Sequence, residues 1–127
     1  MSEPPQPAPE TTLTITSQRR DAAVVVTVVG EVDMDTAPQV SAAVTAAFAE
    51  IGAHCYVLDL TNVTYLGSAG LTALLDATRR AESRSEPLLV VVDANRPVIR
   101  PIEITGLDEV LRLYHSLDEA LRSQTAR

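Results

Sequence analysis

The amino-acid sequence predicts an α/β fold: a mixed sheet of about five strands with about four helices, in the order β-β-α-β-α-β-α-β-α. Short apolar runs rich in β-branched residues alternate along the chain with segments of helical periodicity. Of the 127 residues, 46% are hydrophobic and 21% charged, which is enough to close one core. Alternating strands and helices imply right-handed crossovers, with ligands or partners at the carboxyl edge of the strands.

The chain begins with a proline-rich segment that precedes two strands. Four of the eight prolines lie within residues 1–10, so we expect a disordered leader there and a single domain over residues 11–127. In "TLTITSQ", Leu13 and Ile15 alternate with threonines as in a half-buried strand, and "AAVVVTVVG" predicts an interior strand. The polar residues from Gln18 to Asp21 predict the hairpin turn between them.

The segment after "GEVDMD" predicts the first helix. Thr36 or Asp35 can cap its start, Pro38 is tolerated in its first turn, and Gly52 ends it. Its apolar residues recur at helical spacing on one face: Val40, Val44, Ala47, Phe48 and Ile51.

Two further strands enclose a second helix. "HCYVLDL" and "PLLVVVD" are short, continuously apolar runs, which are typical of parallel strands buried on both faces. Between them, the small-residue hinge Gly67-Ser68-Ala69-Gly70 precedes a helix. The apolar face of that helix consists of Leu71, Leu74, Leu75 and Thr78.

The last part of the chain predicts a helix, an edge strand and a closing helix. "NRPVIRPIEITGL" has helical character, and Pro101 is expected to distort or cut that helix. "EVLRLYHS" predicts the edge strand. "SLDEALRSQ" begins with a serine cap and places Leu117, Ala120 and Leu121 on one helix face.

Composition excludes several classes of function. Ten basic and seventeen acidic residues give a net charge of -7 without a Lys/Arg cluster, so no nucleic-acid partner is expected. The single cysteine, Cys55, excludes an intramolecular disulfide and any multi-cysteine metal site. No apolar run approaches the ~20 residues of a membrane helix, and the N-terminus lacks the charges and apolar segment of a signal peptide. We therefore expect a cytoplasmic protein without a membrane partner.

The hinge at Ser68 resembles the nucleophile elbow of a serine hydrolase only in part. The elbow needs glycine two positions on each side of the serine, and Leu66 occupies one of these places. A catalytic triad also needs a histidine, and only His54 and His115 exist. We predict no catalytic residue, unless one of these imidazoles approaches Ser68 in space.

Metal and nucleotide binding are poorly supported as well. Asp33 and Asp35 have no histidines or second carboxylate cluster nearby at ligand spacing, and "GSAG" lacks the lysine of a nucleotide-binding loop. Two roles remain for Ser68. The first is the N-cap of the following helix. In the second, another protein's active site reaches this exposed hydroxyl and adds a phosphate of about two negative charges, which a helix start tolerates.

Three segments resemble the STAS-domain family, specifically the bacterial anti-sigma factor antagonists. They are "GEVDMDTAP", "VLDLTNVTYLGSAGLTALL" and "ITGLDEVLRLYHSLDEAL". The family signature runs roughly D-L-x-x-V-x-(aromatic)-(apolar)-D-S-(small)-G-L, and the chain matches it from Asp59 to Leu71 with Gly67 in place of the second aspartate. The resemblance implies a STAS-type mixed sheet and a protein that binds a cognate anti-sigma factor and so releases a sigma factor.

The same resemblance implies the residues of the site. Ser68 falls on the serine that the anti-sigma factor, itself an ATP-binding serine kinase, phosphorylates to switch the antagonist off, and a serine phosphatase reverses this. The implied partner contacts are Glu31, Asp33, Gly67, Ala69, Gly70 and Leu71. The resemblance implies no cofactor, no metal and no catalytic residue of a kinase, because the chain would be the substrate of the kinase. The alternative is a STAS module that senses a small ligand such as a nucleotide, or supports a transport complex, at the same helix start.

Overall fold

The computed structural model describes residues 13–125, so the predicted leader and the predicted domain start at residue 11 lie outside the described residues. Within this range the strands are β1 Leu13–Arg20, β2 Ala23–Val32, β3 Cys55–Leu66, β4 Leu88–Val91 and β5 Arg112–Tyr114. The helices are α1 Ala37–Phe48, α2 Ser68–Ser83, α3 Arg96–Ile104 and α4 Leu117–Thr125, with a 3₁₀ turn at Leu107–Glu109. The predicted fold class and element order are confirmed.

The strands follow one another across the sheet in chain order, β1-β2-β3-β4-β5. β1 pairs with β2 antiparallel, and all later pairs are parallel. Each parallel crossover connects a strand to its next neighbour, always in the same direction across the sheet. Because all of these crossovers have the same hand, their helices α1, α2 and α3 lie on one face of the sheet. There they share a core with Val26 and Leu58. α4 covers the other face, where Ala120 packs with Val57 and Leu89.

The first hairpin is tighter than predicted. β1 continues to Arg20, which pairs with Ala23, so the turn consists of residues 21 and 22 alone. Asp21 takes a left-handed backbone with φ 57°, a conformation that aspartate tolerates better than most residues. The predicted turn from Gln18 to Asp21 is therefore wrong in extent, because polar residues on an edge strand resemble a turn in sequence.

α1 is shorter than the helical periodicity predicts. It ends at Phe48, and Ile51 is 93% exposed in the turn that follows. Gly52 reverses the chain there with φ +81°, a left-handed conformation that favours glycine. The prediction that Ile51 belongs to the buried face is therefore wrong. The other predicted members of that face are buried: Val40, Val44, Ala47 and Phe48.

β3 extends to Leu66, well beyond the apolar run that predicts it. Its pairing with β2 shifts register twice, each time at a bulge where β3 carries one extra residue. In a regular strand, the residues on one face recur every two positions. The two bulges change this spacing to three, so Leu60, Val63 and Leu66 are all buried on the helix-covered face. The bulged strand carries the chain past the end of β4.

α3 runs through Pro101, so the predicted interruption there is wrong. Pro101 has no N–H to donate to the Pro97 carbonyl, and the helix loses that one hydrogen bond. Val98 and Ile102 on the same helix are fully buried in the core, and this packing offsets the loss.

β5 and α4 close the chain as predicted, although β5 is only three residues long. Ser116 caps α4 by accepting a hydrogen bond from the Glu119 N–H at 3.0 Å. The Glu119 carboxylate in turn accepts from the His115 N–H at 2.8 Å, in the manner of a capping box. Among the described helices, none is long and apolar enough to cross a bilayer.

Candidate partner-binding site

The turn that contains Ser68 lies at the carboxyl edge of the sheet, where β3 ends. The last β3 residue that pairs with β4 is Asp59, opposite Val91, so residues 60–66 project beyond β4. The Gly67 N–H donates to the Val32 carbonyl at 2.9 Å and thereby fixes the turn against the end of β2. Ser68 therefore lies at the edge where the strand order predicts a partner.

Two side chains that the sequence does not predict hold the projecting part of β3. The Asn95 amide donates to the carbonyls of Leu60 at 2.8 Å and Val63 at 2.7 Å, in place of the missing strand neighbour. The Asp59 carboxylate accepts from the N–H of Thr61 at 3.0 Å and from its hydroxyl, at the first bulge. Asn and Asp at strand ends are common turn residues, and only the fold reveals these contacts.

Ser68 is the first residue of α2 rather than its N-cap. The carbonyl of Gly67 accepts the first intrahelical bond, from the Leu71 N–H at 3.0 Å, and the Gly67 backbone is extended. The exposed Ser68 hydroxyl makes no hydrogen bond with any residue between 13 and 125. The predicted capping role of Ser68 is therefore wrong, and its hydroxyl is free to be reached by another protein.

Gly70 allows α2 to begin close to β2 and β3. A Cβ at this position would lie 2.5 Å from Leu66 Cδ1 and 2.8 Å from Val32 Cγ1. Both neighbours are buried in the core, so their side chains must shift to admit a methyl group. Gly70 is buried as well, so it can shape a partner surface through the position of the turn rather than by direct contact.

Gly70→Ala is expected to lower the free energy of unfolding by about 1–3 kcal/mol, since overpacking outweighs the higher helix propensity of alanine. Urea unfolding measures this. Leu66→Val removes the methyl group that the new Cβ would meet, so Gly70→Ala should be less destabilising in that background. Strictly additive effects of the two substitutions would contradict the steric explanation.

Tyr65 covers Gly67, the residue at which the chain departs from the family signature. A Cβ on Gly67 would lie 3.0 Å from both the Cε2 and the hydroxyl oxygen of Tyr65. The ring is 52% exposed and could turn toward solvent to admit a side chain. Gly67 occupies the N-cap position of α2, so the aspartate of the family signature would act as a helix cap there. In this chain the phenol ring of Tyr65 fills part of the space that the aspartate side chain would take.

Asp33 holds the loop from β2 into α1. Its Oδ1 accepts from the N–H groups of Asp35 at 2.9 Å and Thr36 at 3.0 Å. The hydrogen bond from the Thr36 N–H, the largest cause, lowers the pKa of the Asp33 carboxyl below its ordinary value. The carboxylate is therefore ionised at neutral pH, and its second oxygen accepts no hydrogen bond from the described residues.

Ser68 lies on a ridge between two open grooves, which we name after the neighbouring helix. The α1 groove, of about 450 Å³, is lined on one side of Ser68 by residues that include Asp33, Met34, Tyr65, Gly67 and Ala69. The α3 groove, of about 600 Å³, is lined on the other side by residues that include Leu66, Leu71, Arg96, Arg100 and Ile104.

The surface around this ridge has the character of an interaction site. Met34 is 79% exposed and Ile104 72% exposed, and together with Tyr65 they surround Ser68 with accessible apolar groups. Asp33, Gly67, Ala69 and Leu71 are thus gathered beside Ser68. Glu31 lies apart: it is exposed on β2 opposite Tyr65 and lines neither groove.

Neither histidine approaches Ser68. His54 precedes β3, whose 12 residues separate it from Ser68 by roughly 35–40 Å. The His54 Nδ1 lies 3.4 Å from the Glu86 carboxylate. His115 follows β5, two strands away from β3, and its N–H donates to the Glu119 carboxylate of α4. The condition for a serine-hydrolase mechanism, an imidazole beside Ser68, is not met within residues 13–125.

Comparison with known proteins identifies the family. The sequence model of the family described as "Mlab, STAS domain" matches residues 15–115. The chain belongs to the STAS-domain family. Among STAS relatives, the anti-sigma-F factor antagonist RsfB of Mycobacterium tuberculosis is 33% identical over 109 residues, covering 86% of this chain and 87% of RsfB. An anti-sigma-B factor antagonist of Listeria monocytogenes is 33% identical over 86 residues, covering 68% and 74%.

The STAS fold is equally evident in three dimensions. A crystal structure of an anti-sigma factor antagonist from Mycobacterium paratuberculosis has a TM-score of 0.80 and 35% identity, over 91% of this chain and 96% of that one. The resemblance to STAS proteins and the STAS-type sheet predicted from the sequence are confirmed. The names of these STAS relatives describe antagonists of anti-sigma factors and no enzymatic activity.

Proposed function

We propose that this protein is an anti-sigma factor antagonist, which binds a cognate anti-sigma factor through the surface around Ser68 and so releases a sigma factor. The observation that supports this most directly is the free Ser68 hydroxyl on a ridge between two open grooves. The names of the mycobacterial and listerial relatives support the class of partner. Because sigma factors direct transcription, the proposed place of action is the cytoplasm.

Ser68 is the proposed phosphoacceptor of a partner that is itself an ATP-dependent serine kinase. The Ser68 Oγ forms a bond to the γ-phosphorus of ATP while the bond from that phosphorus to ADP breaks, and a base of the kinase takes the hydroxyl proton. A serine phosphatase hydrolyses the ester and restores the hydroxyl. The absence of any hydrogen bond from this hydroxyl to residues 13–125 supports the assignment, because no contact must break before the kinase engages it.

Incubation of the full chain with the cognate anti-sigma factor and ATP is expected to add a single phosphate, read by intact mass and localised to Ser68 by fragmentation. Ser68→Ala should still bind the anti-sigma factor but take up no phosphate. Thr72→Ala is the matched control, since the Thr72 hydroxyl lies one turn along α2 and donates to the Ser68 carbonyl at 3.0 Å. Phosphate on Thr72 alone would contradict the site, and failure to form any complex would contradict the function.

A further inference from the structure

A pair of arginines lies beside Ser68 in the α3 groove. Arg96 and Arg100 are four residues apart on α3 and line this groove together with Ser68. Asn95 ties the start of α3 to the end of β3 through its two bonds of 2.8 Å and 2.7 Å. Short polar contacts therefore fix the helix that carries the arginines relative to the strand that delivers the serine.

Within residues 13–125, neither arginine has a structural partner that explains its position. Both are exposed, and no ion pair or hydrogen bond joins either guanidinium to the described part of the chain. Arg96 is the first residue of α3, where the positive end of the helix dipole disfavours a cation. Arg100 adds a like charge one turn further along. An anion held between the two guanidinium groups would relieve both repulsions.

The two grooves beside Ser68 differ in charge. Asp33 contributes an ionised carboxylate to the α1 groove, whereas the described residues that line the α3 groove include no aspartate or glutamate. A phosphate on Ser68 is therefore repelled by one groove and attracted by the other. Rotation about the single χ1 bond of the serine is enough to choose between them.

We propose that Arg96 and Arg100 hold the phosphate of phosphorylated Ser68 across the α3 groove. This inference rests on the proposed phosphorylation and adds its structural consequence. Guanidinium groups bind phosphate oxygens in a planar, charge-assisted geometry, which suits them to this role better than lysines. Phosphorylation then does more than add negative charge to the ridge. It also removes two cations and the apolar surface at Leu71 and Ile104 from the reach of a partner.

The test uses the full chain with phosphoserine placed at residue 68 during translation, so that no kinase is needed. A ³¹P NMR titration gives the second pKa of the phosphate, which is about 6 in the absence of partners. With both arginines present this pKa is expected to be lower, by about half a unit or more, than in the double variant Arg96→Gln/Arg100→Gln. Arg79→Gln is the matched control, because this exposed arginine lies roughly 16 Å along α2 from Ser68.

The arginine pair is supported if only the double variant raises the phosphate pKa. The same pKa in all three proteins, or an equal change in the Arg79→Gln control, overturns the proposal. Both substituted guanidinium groups are exposed, so the variants are expected to fold, and circular dichroism of the unphosphorylated chains checks this. A chain that no kinase modifies would overturn the proposed phosphorylation without altering this titration, so the two failures are distinguishable.

Discussion

Ser68→Glu is expected to weaken the complex with the cognate anti-sigma factor by at least about thirtyfold, or about 2 kcal/mol, because it places a charge that must lose its hydration at the centre of the proposed interface. Isothermal titration calorimetry measures the effect. The variant should remain folded, since a glutamate in the first turn of α2 interacts favourably with the helix dipole.

Ser68→Gln is the matched control for this experiment, because it has nearly the same shape as the glutamate variant without its charge. If charge carries the effect, glutamine weakens binding much less than glutamate, and Ser68→Ala hardly at all. Equal losses for glutamine and glutamate would instead indicate steric exclusion at the ridge. An affinity that none of the three substitutions changes would place the interface away from Ser68.

Asn95→Asp is expected to lower the free energy of unfolding at neutral pH by about 3 kcal/mol. The substitution replaces a donor of two hydrogen bonds, at 2.8 Å and 2.7 Å, with an oxygen that repels the carbonyls of Leu60 and Val63. Both carbonyls belong to buried residues. Without the Asn95 amide, neither carbonyl has a side-chain donor to replace the hydrogen bonds that β4 would supply to a longer paired strand. Urea unfolding of the two proteins measures the difference.

The destabilisation by Asn95→Asp should also depend on pH in a definite direction. We expect the two carbonyls beside the introduced carboxyl to outweigh the opposing effect of the α3 start, whose N-cap is residue 95, and to raise its pKa in the folded state above the unfolded value. Its protonated form is then favoured in the folded protein, so the loss of stability is largest above the folded pKa and shrinks as the pH falls through it. Asn62→Asp, on an exposed part of β3, is the matched control and should change stability little at either pH. A comparable loss in that control would contradict the role of Asn95.

The sequence predicts those elements of the fold whose hydrophobic pattern is regular. The continuous β-branched run of β2 and the helical spacing on the buried face of α1 are each recognisable in the sequence. The end of β3 is not, because two bulges change the spacing of its buried residues from two to three. The helix start at Gly67 differs by one residue from the prediction, because glycine and serine are both acceptable N-caps and backbone dihedral angles decide between them.

The candidate site is predictable only in part for a related reason. The hinge at Ser68 is a local feature, and its meaning comes from the resemblance to a family. Asn95, Arg96 and Arg100 join it because β4 stops short of the end of β3 and leaves a space that the start of α3 fills. Strand length is set by tertiary pairing, and no local pattern in the chain reveals it.

The ties that hold the serine turn have a consequence for the entropy of association. The Gly67 N–H binds the end of β2, the Asn95 amide binds the end of β3, and Asp33 closes the neighbouring loop. A flexible loop would lose about 1–2 kcal/mol of backbone conformational freedom for each residue that became ordered on docking. A turn that is rigid beforehand loses little, so more of the contact energy appears as affinity. The rate of encounter is then set by diffusion and orientation rather than by the folding of a loop.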